Sequence, residues 1–167
     1  SGATFTTRST TPNLLGWSST GADTGGQGWY DLGIAASPIS RDVVIVGGVN
    51  IWRSINGGTN WTINGHWTGT GAPYVNADVH DLIFVPGSGT AYYAGCDGGV
   101  FYTANSGGAW ADRSSNLCIA QIYRIGMSTS NANYWITGHQ DNGTNLKNGA
   151  SYTATMGGDG MDCFVDR

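Results

Sequence analysis

Two stretches of the chain, Val46-Gly-Gly-Val-Asn-Ile-Trp-Arg-Ser-Ile-Asn-Gly-Gly-Thr-Asn-Trp61 and Gly95-Cys-Asp-Gly-Gly-Val-Phe-Tyr-Thr-Ala-Asn-Ser-Gly-Gly-Ala-Trp110, align without a gap, 49 residues apart. Self-similarity at such a period restricts a chain to modular architectures in which one supersecondary unit is copied and each copy packs on the next. Upstream of the two copies lie Asp31-Leu-Gly-Ile-Ala-Ala-Ser37 and His80-Asp-Leu-Ile-Phe-Val-Pro86, followed after a turn by Val43-Val-Ile-Val46 and Ala91-Tyr-Tyr-Ala94. Each unit therefore reads as four short strands. A third, degenerate unit follows in Gln121-Ile-Tyr-Arg-Ile-Gly-Met127, Tyr134-Trp-Ile-Thr137, Gly143-Thr-Asn-Leu-Lys147 and Tyr152-Thr-Ala-Thr155, its last hairpin contracted to Asn148-Gly-Ala-Ser151.

Composition agrees with strands and turns. Of 167 residues 28 are Gly, all 11 acidic residues are Asp, and Lys147 is the single lysine, so the straight-chain helix formers are nearly missing while pleat-favouring residues are common. Four antiparallel strands per 40 to 50 residues make one blade of a β-propeller. The expected fold is all-β, with four-stranded antiparallel blades near residues 31–63, 80–112 and 121–155, and with the apolar first strand of each blade innermost and buried from both sides. Residues 1–29 read as the end of a preceding blade and a connection. The blades then fall in 30–64, 65–117 (with a long connection) and 118–156, and 157–167 reads as the first strand of a following blade. Phe5 aligns with Trp61, and Met161-Asp-Cys-Phe-Val-Asp166 aligns with the run from His80 to Val85. About three blades fall short of the 4–8 that close a ring, so the expectation is an incomplete propeller completed by further polypeptide or a partner chain.

Ser54-Ile-Asn56-Gly-Gly58-Thr-Asn-Trp61 and Thr103-Ala-Asn105-Ser-Gly107-Gly-Ala-Trp110 share the form [ST]-x-[DN]-x-G-x-x-W. In such a hairpin the hydroxyl and amide bind backbone groups, Gly takes positive φ, and Trp folds beneath as a buried plug. This pattern resembles the Asp-box of sialidase-like (BNR) propellers, with Asn in place of Asp. With the segments His80–Pro86, Gly95–Phe101, Gln121–Ile125, Gln140–Thr144 and Gly157–Met161, the chain is similar to secreted bacterial, Bacteroidota-type propellers of the sialidase-like, sortilin-like and xyloglucanase-like superfamily. The resemblance implies a secreted or cell-surface location and a structural role for Ser54, Asn56, Gly58, Trp61, Thr103, Asn105, Gly107 and Trp110. Relatives commonly carry His where Asn76 stands, which weakens any metal reading.

Loop positions then sort the polar residues. The turn after the second strand carries Asp97 and Asp141, and the connections between blades carry His66, Trp67, Tyr74, Asp78, His80, Asp81 and Asp159, all on the face opposite the repeated hairpins. Such an acidic, aromatic-flanked rim is where a propeller binds a ligand. Trp67, Tyr74, Asp78, His80, Asp97, Asp141 and Asp159 are the candidate binding residues, each with a plainer rival: turn Asp accepting its own backbone N–H, His80 satisfying a carbonyl, Trp67 and Tyr74 covering a blade edge.

The sequence contains no Glu, which removes the sialidase machinery, and no catalytic residue is assigned. Propeller glycosidases that use two Asp as acid and base remain the alternative to a binding or structural scaffold for a polysaccharide or glycan. A net charge of −4 with seven scattered basic residues disfavours nucleic acid, no apolar run reaches the ~20 residues of a membrane span, and no metal or cofactor is implied. If any cysteines are bridged, Cys96 and Cys118 are the expected pair, with Cys163 buried and free.

Overall fold

The computed structural model describes residues 2, 4–117 and 120–166. Among these there is no helix, and twelve strands form three four-stranded antiparallel sheets in simple sequential order. The chain divides into two compact units, residues 1–115 and 116–167. The first unit holds sheet 1, of β1 (Gly33–Ala36), β2 (Val44–Gly47), β3 (Ile51–Ser54) and β4 (Thr62–Gly65), and sheet 2, of β5 (Val79–Phe84), β6 (Tyr92–Cys96), β7 (Gly99–Thr103) and β8 (Ala111–Asp112). The second unit holds sheet 3, of β9 (Ile122–Met127), β10 (Tyr134–His139), β11 (Thr144–Asn148) and β12 (Ser151–Met156). These are propeller blades, and three of them make an incomplete set.

Register explains which residues become core. Ala35, Ile45 and Arg53 lie opposite one another across β1, β2 and β3, and Leu82, Ala94 and Phe101 do so across β5, β6 and β7. Opposite partners share a sheet face, so each strand's alternation delivers its apolar residues to one side. Ile45, Ile51, Val79, Leu82, Phe84, Tyr92 and Phe101 join with Val75 in a single buried cluster between sheets 1 and 2, where β5 packs on β1 and β2. Tyr92 is fully buried, its ring 5.0 Å from Phe84 and 5.4 Å from Trp110.

The innermost strands depart from the expected two-sided burial. In β5 only Val79, Leu82 and Phe84 are buried while His80, Asp81 and Ile83 are exposed, and in β9 only Gly126 is buried. A strand loses water from both faces only where both faces meet a neighbouring layer, and β5 meets one on its Leu82 side. The other face of sheet 1 is lined instead by chain without strands: Leu14 borders a groove with Ile34, Val44 and Val46, and the Asn50 amide donates to Gly16 O at 3.0 Å. Phe5 is exposed, and the described residues among 4–10 form no strand.

The two repeated hairpins superpose bond for bond. Ser54 Oγ accepts from Asn56 N (3.3 Å) and Gly58 N (2.8 Å), while Asn56 Oδ1 accepts from Ser54 Oγ (3.0 Å) and Asn60 N (2.8 Å). Thr103 and Asn105 repeat these bonds to Asn105 N (3.3 Å), Gly107 N (2.9 Å) and Ala109 N (2.9 Å). Gly58 and Gly107 take φ of 84° and 83°, a conformation that costs other residues free energy. Trp61 and Trp110 are half-buried rather than fully buried. Their indole N–H groups point out of the hairpin to the element before it: Trp61 Nε1 donates to Ser9 Oγ and Trp110 Nε1 to Asn64 O, both at 3.0 Å. An indole that must reach a partner at the sheet margin leaves one edge wet.

In the second unit, residues 157–166 form no strand but lie along β9 and β10. Gly160 N donates to His139 O (2.8 Å), and a Cβ on Gly138 would collide with the carbonyl oxygens of Gly160 and Met161. Cys163 is half-buried and free; its thiol donates to Ile136 O (3.4 Å) and Arg124 O (3.5 Å). Cys96 is also free, and Cys118, the other member of the expected pair, lies outside the described residues.

Candidate functional site

Four elements of the first unit converge where β1 and β5 begin: the segment before β1, the residue before β5, β5 itself and the β6–β7 turn. Asp97, in that turn, is not occupied by its own backbone. Its Oδ1 meets His80 Nε2 at 2.7 Å and its Oδ2 accepts the Tyr30 hydroxyl at 2.7 Å. The Tyr30 and His80 rings stand edge to face at 5.1 Å. Since an ionised carboxylate only accepts, Nε2 is the donor of this pair.

Asp78 sits at φ 61°, a conformation that short Asp and Asn side chains tolerate better than others. Its Oδ1 accepts Gln27 Nε2 at 2.5 Å, and the same amide nitrogen lies 3.4 Å from Asp31 Oδ2. Asp31 is completely buried, and burial raises its pKa above the ordinary carboxylate range. Nearby, burial and the charges of Asp97, Asp78 and Asp112 push the Cys96 thiol up to about 12, so it is neutral at physiological pH. Asp112, beyond it, is exposed and held low by hydrogen bonds from Ser114.

The aromatic candidates flank this group. Tyr74 packs edge-on against Phe101 at 6.0 Å and its hydroxyl accepts Asn76 Nδ2 at 3.3 Å, while Asn76 Oδ1 accepts Gly98 N at 3.0 Å. Asn76 thus fastens the 66–78 connection to the turn that carries Asp97. Trp67 donates its indole N–H to Trp17 O at 3.3 Å. Buried His66 organises this loop: Nδ1 accepts Thr68 N (3.2 Å) and Thr70 N (3.3 Å), leaving Nε2 to donate to Trp17 O (3.2 Å).

Asp141 and Asp159 belong to the second unit, where Asp159 Oδ1 accepts the Asp141 backbone N–H at 2.9 Å. They form a pair within that unit. Arg124 there pairs with Asp162 at 3.0 Å. The same unit carries an open hollow of about 670 Å³, lined by Ile122, Trp135, Thr137, His139, Asn145 and Tyr152, which the sequence did not single out.

Gln27, Tyr30 and Asp31 were also missed. The signal was present, since Asp31 precedes β1 much as Asp78 precedes β5. Aligning the repeats at their period of 49 sets Asp31 against His80 instead, because the connection between β5 and β6 is two residues longer than that between β1 and β2, so that Ala36 corresponds to Ile83, 47 residues on. No group of three or more His, Cys, Asp or Glu side chains among the described residues is arranged to hold a metal ion.

An all-β chain of propeller blades with a polar cluster at one blade seam is the class these observations define. No model of a protein family matches it, and no curated protein does. Among solved structures it is similar to the GH74 xyloglucanase from Xanthomonas campestris, at 17% identity over 76% of this chain and 23% of that one, with a TM-score of 0.41. It is also similar to the GH74 enzyme from Niastella koreensis, at 18% identity over 75% and 21% of the two chains, TM-score 0.40. YCF48 from Cyanidioschyzon merolae matches at 15% identity over 72% and 42%, TM-score 0.30. The chain spans less than a quarter of the length of the two GH74 structures. No helix among the described residues is long and apolar enough to cross a membrane.

Proposed function

We propose that this chain is a section of a secreted or cell-surface Asp-box propeller that serves as a binding and structural scaffold, with carbohydrate as the ligand class of its rim. In this reading the blades divide at 30–64, 65–117 and 118–156, and the rest of a longer polypeptide or a partner chain supplies the missing ones. Ser54, Asn56, Gly58 and Trp61, with Thr103, Asn105, Gly107 and Trp110, are its fastenings.

One observation carries the reading. The rim carboxylates are committed to internal partners, Asp97 to Tyr30 and His80, Asp78 to Gln27, and Asp159 to a turn N–H, while Trp29, Trp67 and Tyr74 remain exposed. Committed carboxylates stiffen a rim, and exposed aromatic rings offer the flat apolar surface on which a sugar ring stacks. Measuring binding and product release on a panel of soluble polysaccharides tests this. Binding without turnover that weakens in Trp29→Ala or Trp67→Ala is the expected result. Release of reducing ends that Asp97→Asn abolishes would replace the scaffold with a glycoside hydrolase.

A further inference from the structure

We propose that the hollow beside the first repeated hairpin is an oxyanion site, where Arg53 takes the carboxylate or sulfate group of an acidic ligand while Asn56, Asn60 and Thr62 donate to it from the sides. The site is independent of the carbohydrate reading of the rim, since none of these residues belongs to that rim. The hollow, of about 320 Å³, is lined by Arg53 of β3, by Ile55, Asn56 and Asn60 of the hairpin, and by Thr62 and Asn64 of β4. Register sets Arg53 opposite Ile45 and Thr62, on the sheet face to which Ile45 brings the buried cluster. In a chain of net charge −4 with seven basic residues, this arginine forms no ion pair among the described residues, and its buried Nε has no hydrogen-bond partner. Leaving a buried charged donor unmet is costly, and an acceptor from outside the chain removes that cost.

The other groups of the hollow suit an anion. Asn56 is already oriented, because its Oδ1 accepts Ser54 Oγ and Asn60 N and so leaves Nδ2 as the open end. Thr62 and Asn60 are exposed beside it, and no carboxylate lines the space. A guanidinium presents paired N–H groups that match the two oxygens of a carboxylate or sulfate. Tyr92 supplies no counter-charge: burial keeps its phenol neutral, and its hydroxyl donates to Asn64 Oδ1. Asn64 Nδ2 donates to Ser106 O of the second hairpin at 2.7 Å, so the hollow lies at a seam whose two blades are both in place rather than on a bare blade face. The second hairpin is an internal control. Its own hollow, of about 280 Å³, is built from residues 49 positions on, with Tyr102 for Arg53, Ala109 for Asn60, Ala111 for Thr62 and Arg113 for Asn64. Arg113 there lies over the Tyr102 ring at 5.5 Å. The same hairpin thus folds without the cation at its third strand and without the side donors, and folding alone does not account for them in the first copy.

Titrating the ¹⁵N-labelled full chain with sodium sulfate and with sodium glucuronate, against sodium chloride at matched ionic strength and against neutral glucose, tests the site. Saturable shifts at the Arg53 Nε–H and at the Asn56 and Asn60 side-chain amides are expected, with none at the Asn105 amide of the second hairpin. Tighter binding of sulfate would mark a free anion as the ligand, and tighter binding of glucuronate an acidic sugar. Arg53→Gln should weaken binding about tenfold or more, as loss of a charged donor does. The double variant Asn60→Ala, Thr62→Ala copies the second hairpin; it should keep the wild-type melting temperature and weaken binding several-fold. No saturable shift with either oxyanion, equal shifts with chloride, or undiminished binding in both variants would overturn the proposal.

Discussion

Sheets 1 and 2 and sheet 3 have the same strand number, order and antiparallel pairing, yet they differ in what they bury. Among the described residues, every hydrophobic residue of the buried core lies between Ile45 and Phe101, in the first unit. Sheet 3 leaves Ile122, Ile125, Met127, Tyr152 and Met156 exposed, and all six residues of β12 are exposed. The contrast separates two contributions to blade stability. Hydrogen-bonded ladders suffice to define a blade's shape, whereas its core comes from the neighbour that covers its face, as in other repeat architectures where each unit is stabilised by the interface with the next.

The sharpest way to break this comparison is to truncate an aromatic in each region. Tyr92→Ala removes a fully buried ring and its hydroxyl bond to Asn64 Oδ1, and should cost about 3–5 kcal/mol. Tyr152→Ala, at 61% exposure, should stay within about 1 kcal/mol of wild type. Comparable losses in urea titrations would mean that sheet 3 has a core of its own. Next in size is the contrast between the two hairpin indoles. Trp110 packs on the buried cluster between the sheets, so Trp110→Ala should cost about 3 kcal/mol. Trp61 reaches Ser9 and borders an open groove with Leu14, Ile34, Val44 and Val46 rather than the buried cluster, and its truncation should cost roughly half as much by lost apolar area. Equal losses would place the two hairpins on the same footing.

Smaller effects sharpen the hairpins themselves. Ser54→Ala and Thr103→Ala each leave two backbone N–H groups without their hydroxyl acceptor in a buried setting, at about 1–3 kcal/mol. Asn56→Asp keeps the accepting oxygen and should lie within about 0.5 kcal/mol. Thermal melts of the three single variants in one buffer would check this order.

Much of this architecture was legible because it is local. Strand alternation, Gly/Asn turns and the duplicated [ST]-x-N-x-G-x-x-W run act over a few residues, and the three sheets follow from them. Burial was less legible, since it depends on which layer covers a face: β5 carries an apolar run, yet within the first unit it meets a partner sheet on one side alone. The same limit governs the site. Asp97 in a Gly-containing turn looks self-satisfied, but its partners Tyr30 and His80 lie 67 and 17 residues away, and only tertiary packing brings them together. Asp31 escaped notice because a connection two residues longer between β5 and β6 than between β1 and β2 moves the two inner strands off the period of 49.

The hairpin indoles also bear on the order in which the molecule is made. Trp61 reaches back 52 positions to Ser9, and Trp110 reaches back 46 positions to Asn64. Each newly synthesised hairpin therefore finds its fastening in chain that has already left the ribosome, never in chain still to come. Domains are generally completed from the amino terminus during synthesis, and here the direction is written into the contacts: a blade can lock onto its predecessor while its successor does not yet exist.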